Sequence, residues 1–246
     1  MWGVKQILWI CAVVVVLMGC GKKGERLLPP EPPKAVPEKL IADPIVEKAI
    51  RETLEKPEGE LTEADLARVA KLSLSDTQII DKGLKDVAKL KHLKRLELGF
   101  TQITDEGIKE VVKLKQLKVL ILGFTQITDA GLKEIAKLQK LETLNLNDTK
   151  ITDASLKEIA KLQNLTELYL SRTEITDAGL KDIAKLQQLS SLNLDYTEIT
   201  YAGLKEVAKL QKLKELNLTH TQITKAGVAE LQKALPKCEI RHNATK

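Results

Sequence analysis

The side chains best equipped for chemistry are few in this chain and stand far apart. It holds three cysteines and three histidines. Cys11 and Cys20 fall in an apolar N-terminal stretch, which leaves Cys238 as the one thiol of the remaining chain. His92, His220 and His242 never come within metal-ligand spacing of one another. A lone thiol without a histidine or second cysteine nearby is read as a small core hydrophobe, here at the C-terminal end. The glycines at 83, 107, 131, 179, 203 and 227 occupy one recurring position and serve close packing or helix entry, so they form no phosphate-cradling loop. No Gly-x-Ser-x-Gly turn occurs. These patterns predict no enzyme, no metal and no cofactor. Asn-x-Thr triplets at Asn147, Asn164, Asn217 and Asn243 are by-products of the internal repetition described next.

Chemistry of recognition is better represented, and it depends on the elements that carry it. From Val69 the sequence repeats every 24 residues, with units starting at Val69, Leu93, Leu117, Leu141, Leu165, Leu189 and Leu213. The shared pattern is LxxLxLxxTxITDAGLKEIAKLQx. In the fourth unit Leu141, Leu144 and Leu146 recur at strand spacing, whereas Leu156, Ile159, Ala160 and Leu162 recur at helical spacing. Each unit therefore supplies one strand and one helix. So small a unit cannot bury its own apolar face and is stable only when stacked on neighbours. Stacking at the parallel-strand spacing gives an array roughly 30–35 Å long, and helices wider than strands force it to curve.

These residues resemble the leucine-rich-repeat family. The Ile-Thr-Asp-Ala-Gly-Leu block is similar to its cysteine-containing and related bacterial short-helix subclasses, and the resemblance covers residues 69 to about 240. It implies an α/β solenoid, a curved array with a parallel β-sheet on the concave face and helices on the convex face, that binds a protein or peptide partner. Thr77, Thr101, Thr125, Thr149, Thr173, Thr197 and Thr221 stand where the family usually places Asn or Cys. A ladder of these hydroxyls bridging successive turns is expected in place of the Asn ladder. Thr104, Thr128, Thr152, Thr176, Thr200 and Thr224 are predicted helix N-caps, with the following Asp paired to a Lys four residues on, as in Asp105/Lys109 and Asp129/Lys133.

Residues 69–236 hold the seven units, and the flanks divide into four segments. Residues 43–68 read as a helical cap, from Asp43 before Pro44 and from the Thr62/Asp65 capping-box spacing. Residues 237–246 form a C-terminal cap and tail, with Cys238, Glu239 and Ile240 as an edge strand beyond Pro236. Residues 20–42 carry prolines at 29, 30, 32, 33 and 37 and read as a semi-rigid tether of about 3.1 Å per residue. In residues 1–19 a single charge, Lys5, precedes the apolar run Ile7 to Met18, which is too short to span a bilayer and suits a secretory signal peptide.

Leu17-Met18-Gly19-Cys20 resembles the lipobox of bacterial lipoproteins, although Met18 stands where Ala or Ser is more usual. The resemblance implies lipidation at Cys20, a membrane anchor through the N-terminal lipid, and a place in the bacterial cell envelope. Gly21 rather than Asp after the cysteine points to the outer membrane by the same family's rule.

Positions 2, 3, 5, 7 and 8 of each unit face solvent on the strand side. Of the five aromatics beyond Cys20, Phe100, Phe124, Tyr169 and Tyr196 land on them, while Tyr201 replaces a helix-start Asp. Ile121 adds apolar surface beside Phe124, and Arg172 and His220 add polar contacts. Phe100, Phe124, Ile121, Tyr169, Arg172 and Tyr196 are the predicted partner-binding residues. A second reading stays open, in which Phe100 and Phe124 fold beside Gly99 and Gly123 into the core. The formal charge is +5, yet the strand-side positions carry seven acidic residues against six basic ones, so no footprint for nucleic acid forms. The expectation is a monomeric, lipid-anchored interaction module; a passive envelope scaffold is the alternative.

Overall fold

The computed structural model describes residues 39–244. The expected signal peptide, Cys20 and nearly all of the tether lie outside the described residues.

Each unit contributes a three-residue strand, and the strands join one parallel sheet in sequence order: β1 Lys71–Ser73, β2 Arg95–Glu97, β3 Val119–Ile121, β4 Thr143–Asn145, β5 Glu167–Tyr169, β6 Ser191–Asn193, β7 Glu215–Asn217 and β8 Glu239–Arg241. Register pairs every residue with the one a full unit later, as in Leu144 with Leu168 and Leu192 with Leu216. The middle residue of β1 to β7 points into the core, and Leu144 and Leu168 are 0% exposed. Its neighbours on either side face solvent on the concave surface. Leucines at one depth thus stack on leucines from unit to unit, as the expected solenoid requires.

Helices return the chain behind the sheet. Two precede the array, α1 Pro44–Leu54 and α2 Glu63–Arg68. Within it run α3 Leu84–Val87, α4 Asp105–Val111, α5 Asp129–Ile135, α6 Asp153–Ile159, α7 Asp177–Ile183, α8 Leu204–Val207 and α9 Lys225–Ala234. Each of α4 to α7 starts at a Thr cap whose hydroxyl accepts from the N–H two residues on, such as Thr128 Oγ1 from Ala130 N at 3.2 Å.

The capping threonines do more than cap, and this corrects the expected Asp–Lys pairing. Asp105 reaches forward to the next unit and accepts from Thr128 N at 3.0 Å and Thr128 Oγ1 at 2.6 Å. The same two bonds join Asp81 to Thr104, Asp129 to Thr152, Asp153 to Thr176 and Asp177 to Thr200. The partner 23 residues away wins because it offers two donors at once, one a backbone N–H that would otherwise go unpaired. Lysines on the convex side pair instead with carboxylates three residues earlier, as in Lys137–Glu134 and Lys161–Glu158. The glycine position lies against the same carboxylates: a Cβ on Gly131 would crowd Asp105 Oδ1, although Ser155 fills the equivalent place beside an intact Asp129–Thr152 pair.

The expected threonine ladder does not form. Thr101, Thr125, Thr149, Thr173 and Thr197 are buried, but each hydroxyl donates to a carbonyl three residues earlier in its own unit, at 2.6 Å. Successive units are bridged by the Asp–Thr pairs, and these threonines close a local turn.

Both ends are finished by side chains. Asp43 caps α1 by accepting from Ile45 and Val46 N, and Thr62 with Asp65 forms a complete capping box on α2. Asp86 accepts from Ala42 N at 2.8 Å and Asp43 N at 2.7 Å, which moors the incoming chain to the first unit. Ile41, assigned to the tether by its proline-rich neighbours, is 1% exposed and belongs to the core. At the far end β8 pairs with β7, and Asn243 Oδ1 accepts from His220 N at 2.8 Å, where earlier units use the carbonyl of the next repeat.

Candidate functional site

The turn that leaves each strand imposes one backbone conformation on its eighth residue. The ninth-position hydroxyl closes the turn, and the residue before it turns left-handed: φ is +58° at Asp76, +56° at Phe100, +57° at Phe124, +53° at Asp148, +54° at Arg172, +53° at Tyr196 and +54° at His220. The N–H of the same residue donates to the next unit, Phe124 to Asn147 O at 2.9 Å and Tyr196 to Thr219 O at 3.0 Å. Gly, Asn or Asp would satisfy this position with least strain. Phe, Arg, Tyr and His each carry a penalty of about 1 kcal/mol there. Units one and four use Asp, and the other five carry large side chains.

Those large side chains stack along the rim of the sheet. Phe100 and Phe124 lie with ring centroids 4.1 Å apart and planes 12° from parallel. Tyr196 and His220 lie 3.9 Å apart at 15°, and the Arg172 guanidinium carbon stands 4.7 Å from the Tyr196 centroid. Tyr196 Oη and His220 Nε2 are 3.2 Å apart, and Asp195 Oδ1 lies 3.3 Å from His220 Nδ1. Phe100, Phe124 and Tyr196 are 56%, 42% and 44% exposed, so the reading in which the phenylalanines fold into the core is overturned. The turn aims them outward at the backbone.

The other two predicted contacts sit elsewhere. Ile121 and Tyr169 occupy the fifth position, on β3 and β5, half-buried on the concave surface. Tyr169 Oη donates to Glu167 Oε2 at 3.2 Å, and burial together with the Glu167 charge pushes its phenol pKa up. It lines a cleft of about 100 Å³ with Asn193, Asn217 and Arg241. Asn193 and Asn217 share its position, and each Oδ1 accepts from the N–H two residues on, at 3.0 Å. The structure therefore resolves the six predicted residues into two rim stacks and two concave-floor residues rather than one patch.

His220 and Asp195 complete the second stack and were not among the six. Their signal was present: His220 lies 24 residues after Tyr196 and so shares its position. Reactive chemistry finds little purchase here. Among the described residues no group of three or more His, Cys, Asp or Glu side chains is placed to hold a metal ion. Cys238 is buried, and burial, with Glu215 and Glu239 nearby, pushes its thiol up to about 11. A thiol so raised is a poor nucleophile at neutral pH.

An eight-stranded parallel sheet built one strand per 24 residues, with helices behind and a varied rim in front, defines a repeat solenoid. The chain belongs to the leucine-rich-repeat family, whose leucine-rich repeat region model matches residues 73–241. Among solved structures it is similar to internalin C2 of Listeria monocytogenes, at 27% identity and a TM-score of 0.66 over 83% of this chain and 86% of that one. It is also similar to a leucine-rich-repeat protein of Leptospira interrogans, at 27% identity and a TM-score of 0.54 over 72% of this chain and 49% of that one. No curated protein matches the chain at a significant level. Domains of this family are commonly protein-interaction modules.

Proposed function

We propose that this chain is a lipid-anchored module of the bacterial cell envelope that binds a protein or peptide partner along the concave sheet and its eighth-position rim. The observation that carries the binding reading is strain without net structural return. Five of seven units hold Phe, Arg, Tyr or His in left-handed backbone, and the rings among them stand exposed. The stacking contacts at best offset that strain, so a passive scaffold would be served as well by Asn or Gly at those positions. Aromatic and arginine side chains on a fixed backbone are the composition of binding hot spots.

Anchoring rests on the sequence Leu17-Met18-Gly19-Cys20 and the proline-rich stretch that follows it. Cys20 would carry the lipid, the tether would hold the solenoid off the membrane, and Gly21 favours the outer membrane. The binding reading predicts that a photoreactive residue at Tyr196, introduced in the native bacterium, crosslinks to a discrete protein, while the same residue at Lys157 on the convex side does not. Equal crosslinking from both positions, or none from Tyr196, would favour the scaffold reading. For the anchor, an alkyne fatty acid fed to the cells should label the chain, and Cys20→Ser should remove the label; labelling that survives the substitution defeats it.

A further inference from the structure

The rim column is interrupted at one unit. Phe124 makes its stacking contact with Phe100, on the N-terminal side, and Arg172 makes its own with Tyr196, on the C-terminal side. Between them the fourth unit presents Asp148, whose short side chain also rises from left-handed backbone. Its N–H donates to Ser171 O, but its carboxylate has no hydrogen bond or ion pair among the described residues. Phe124 and Arg172 are two units apart, about twice the 4.8 Å strand spacing. Neighbouring layers of the column lie 4.1 and 3.9 Å apart where both are rings. Two unit spacings therefore leave room for one more planar layer, with a carboxylate at its base.

We propose that this notch seats one aromatic side chain of a protein partner, Trp or Tyr, slotted between the Phe124 ring and the Arg172 guanidinium with its N–H or O–H donated to Asp148. The inference rests on the rim being the partner-binding surface and names what that surface selects. Each wall makes a different demand. Phe124 offers a π face, which an aromatic or a cation can meet. Arg172 repels a cation and stacks on an aromatic. Asp148 repels an anion and would lose water without return beneath a purely aliphatic side chain. An aromatic ring that carries a donor meets all three. A sugar ring could stack on Phe124 and bond Asp148, but its puckered ring is thicker than a planar layer and leaves the guanidinium face poorly used.

The test uses the full-length protein in detergent, titrated with acetylated Gly-Trp-Gly, Gly-Tyr-Gly and Gly-Leu-Gly and with methyl glucoside, followed by the NMR resonances of Phe124, Asp148 and Arg172. The Trp and Tyr peptides should perturb all three and bind roughly tenfold more tightly than the Leu peptide or the glycoside. Asp148→Phe supplies the extra layer internally and should abolish the perturbation. Asp148→Asn tolerates the same backbone and should weaken it several-fold without moving the melting temperature, so a folding defect in the first variant leaves the question answerable. Equal response to the Leu peptide, a stronger response to the glycoside, no response to any probe, or full response in both variants overturns the proposal. Crosslinking from Tyr196 in the Asp148→Phe background separates the two readings. A partner still captured at full yield means that the notch is wrong and the rim is right; no partner captured by the unaltered rim means that the rim itself is wrong.

Discussion

The two turns of each unit follow opposite rules. Where the chain enters the helix, five successive pairs from Asp81–Thr104 to Asp177–Thr200 make the same two bonds. Where it leaves the strand, the backbone is just as uniform, yet the side chain it presents passes through Asp, Phe, Phe, Asp, Arg, Tyr and His. At the first turn the backbone needs the side chain, because a carboxylate is the acceptor for an otherwise orphaned N–H. At the second the neighbouring unit's carbonyl already satisfies that N–H, so the side chain is released from structural duty. Uniform geometry with uniform residues marks the fold; uniform geometry with varied and strained residues marks the surface available to a ligand.

That contrast can be broken at several points. Asp129→Ala removes both acceptors of Thr152 and should cost about 2 kcal/mol in urea unfolding, with Asp105→Ala close behind. A loss below a few tenths of a kcal/mol would mean that the pairs are incidental. A related carboxylate sits at the N-terminal end, where burial pushes the Asp86 pKa up but the Lys89 contact and the N–H groups of Asp43 and Ala42 outweigh it and hold it low. A folded pKa below the unfolded value near 4 makes its stabilisation complete above that pH and progressively lost below it. Amide exchange in α1 should therefore accelerate on acidification before exchange in β3 to β5 does, and simultaneous loss would sever Asp86 from the mooring.

Smaller effects sharpen the contrast from the other side. Tyr201 occupies the Asp position of its unit and bonds Glu230 instead, leaving Thr224 without the forward pair. Tyr201→Asp should stabilise by up to about 1 kcal/mol by restoring it. At the rim, Phe124→Asn exchanges a stacking contact of 0.5–1.5 kcal/mol for relief of a similar strain, so its midpoint should barely move, whereas partner capture should fall. A large drop in its stability would return Phe124 to the core and dissolve the distinction.

The fold was legible because the apolar period switches from two to nearly four inside every unit, and the leucines that set it are the ones buried. The caps were legible for a local reason: Asp43, Thr62 and Asp65 act within three residues of themselves. Misreadings arose where the true partner lies a unit away. Helical spacing pairs Asp105 with Lys109, but the Thr128 donors sit in the next layer. At the rim the exposure of Phe100, Phe124 and Tyr196 was legible and their grouping was not. Left-handed backbone is signalled by Gly, Asn or Asp, and only Asp76 and Asp148 give that hint, while Phe100, Phe124 and Tyr196 argue against it by type. Stacking across a unit becomes visible only once the register is known.

The eighth residue is pinned by its own N–H to the following layer, so its main chain has nowhere to go. Only the torsions of the side chain remain to be frozen when something docks, and for a ring there are two of them. Under the proposed binding reading, recognition along this edge forgoes the entropic penalty of ordering a loop. Even a contact of modest area can then persist, because almost nothing on this side of it must first be brought to rest.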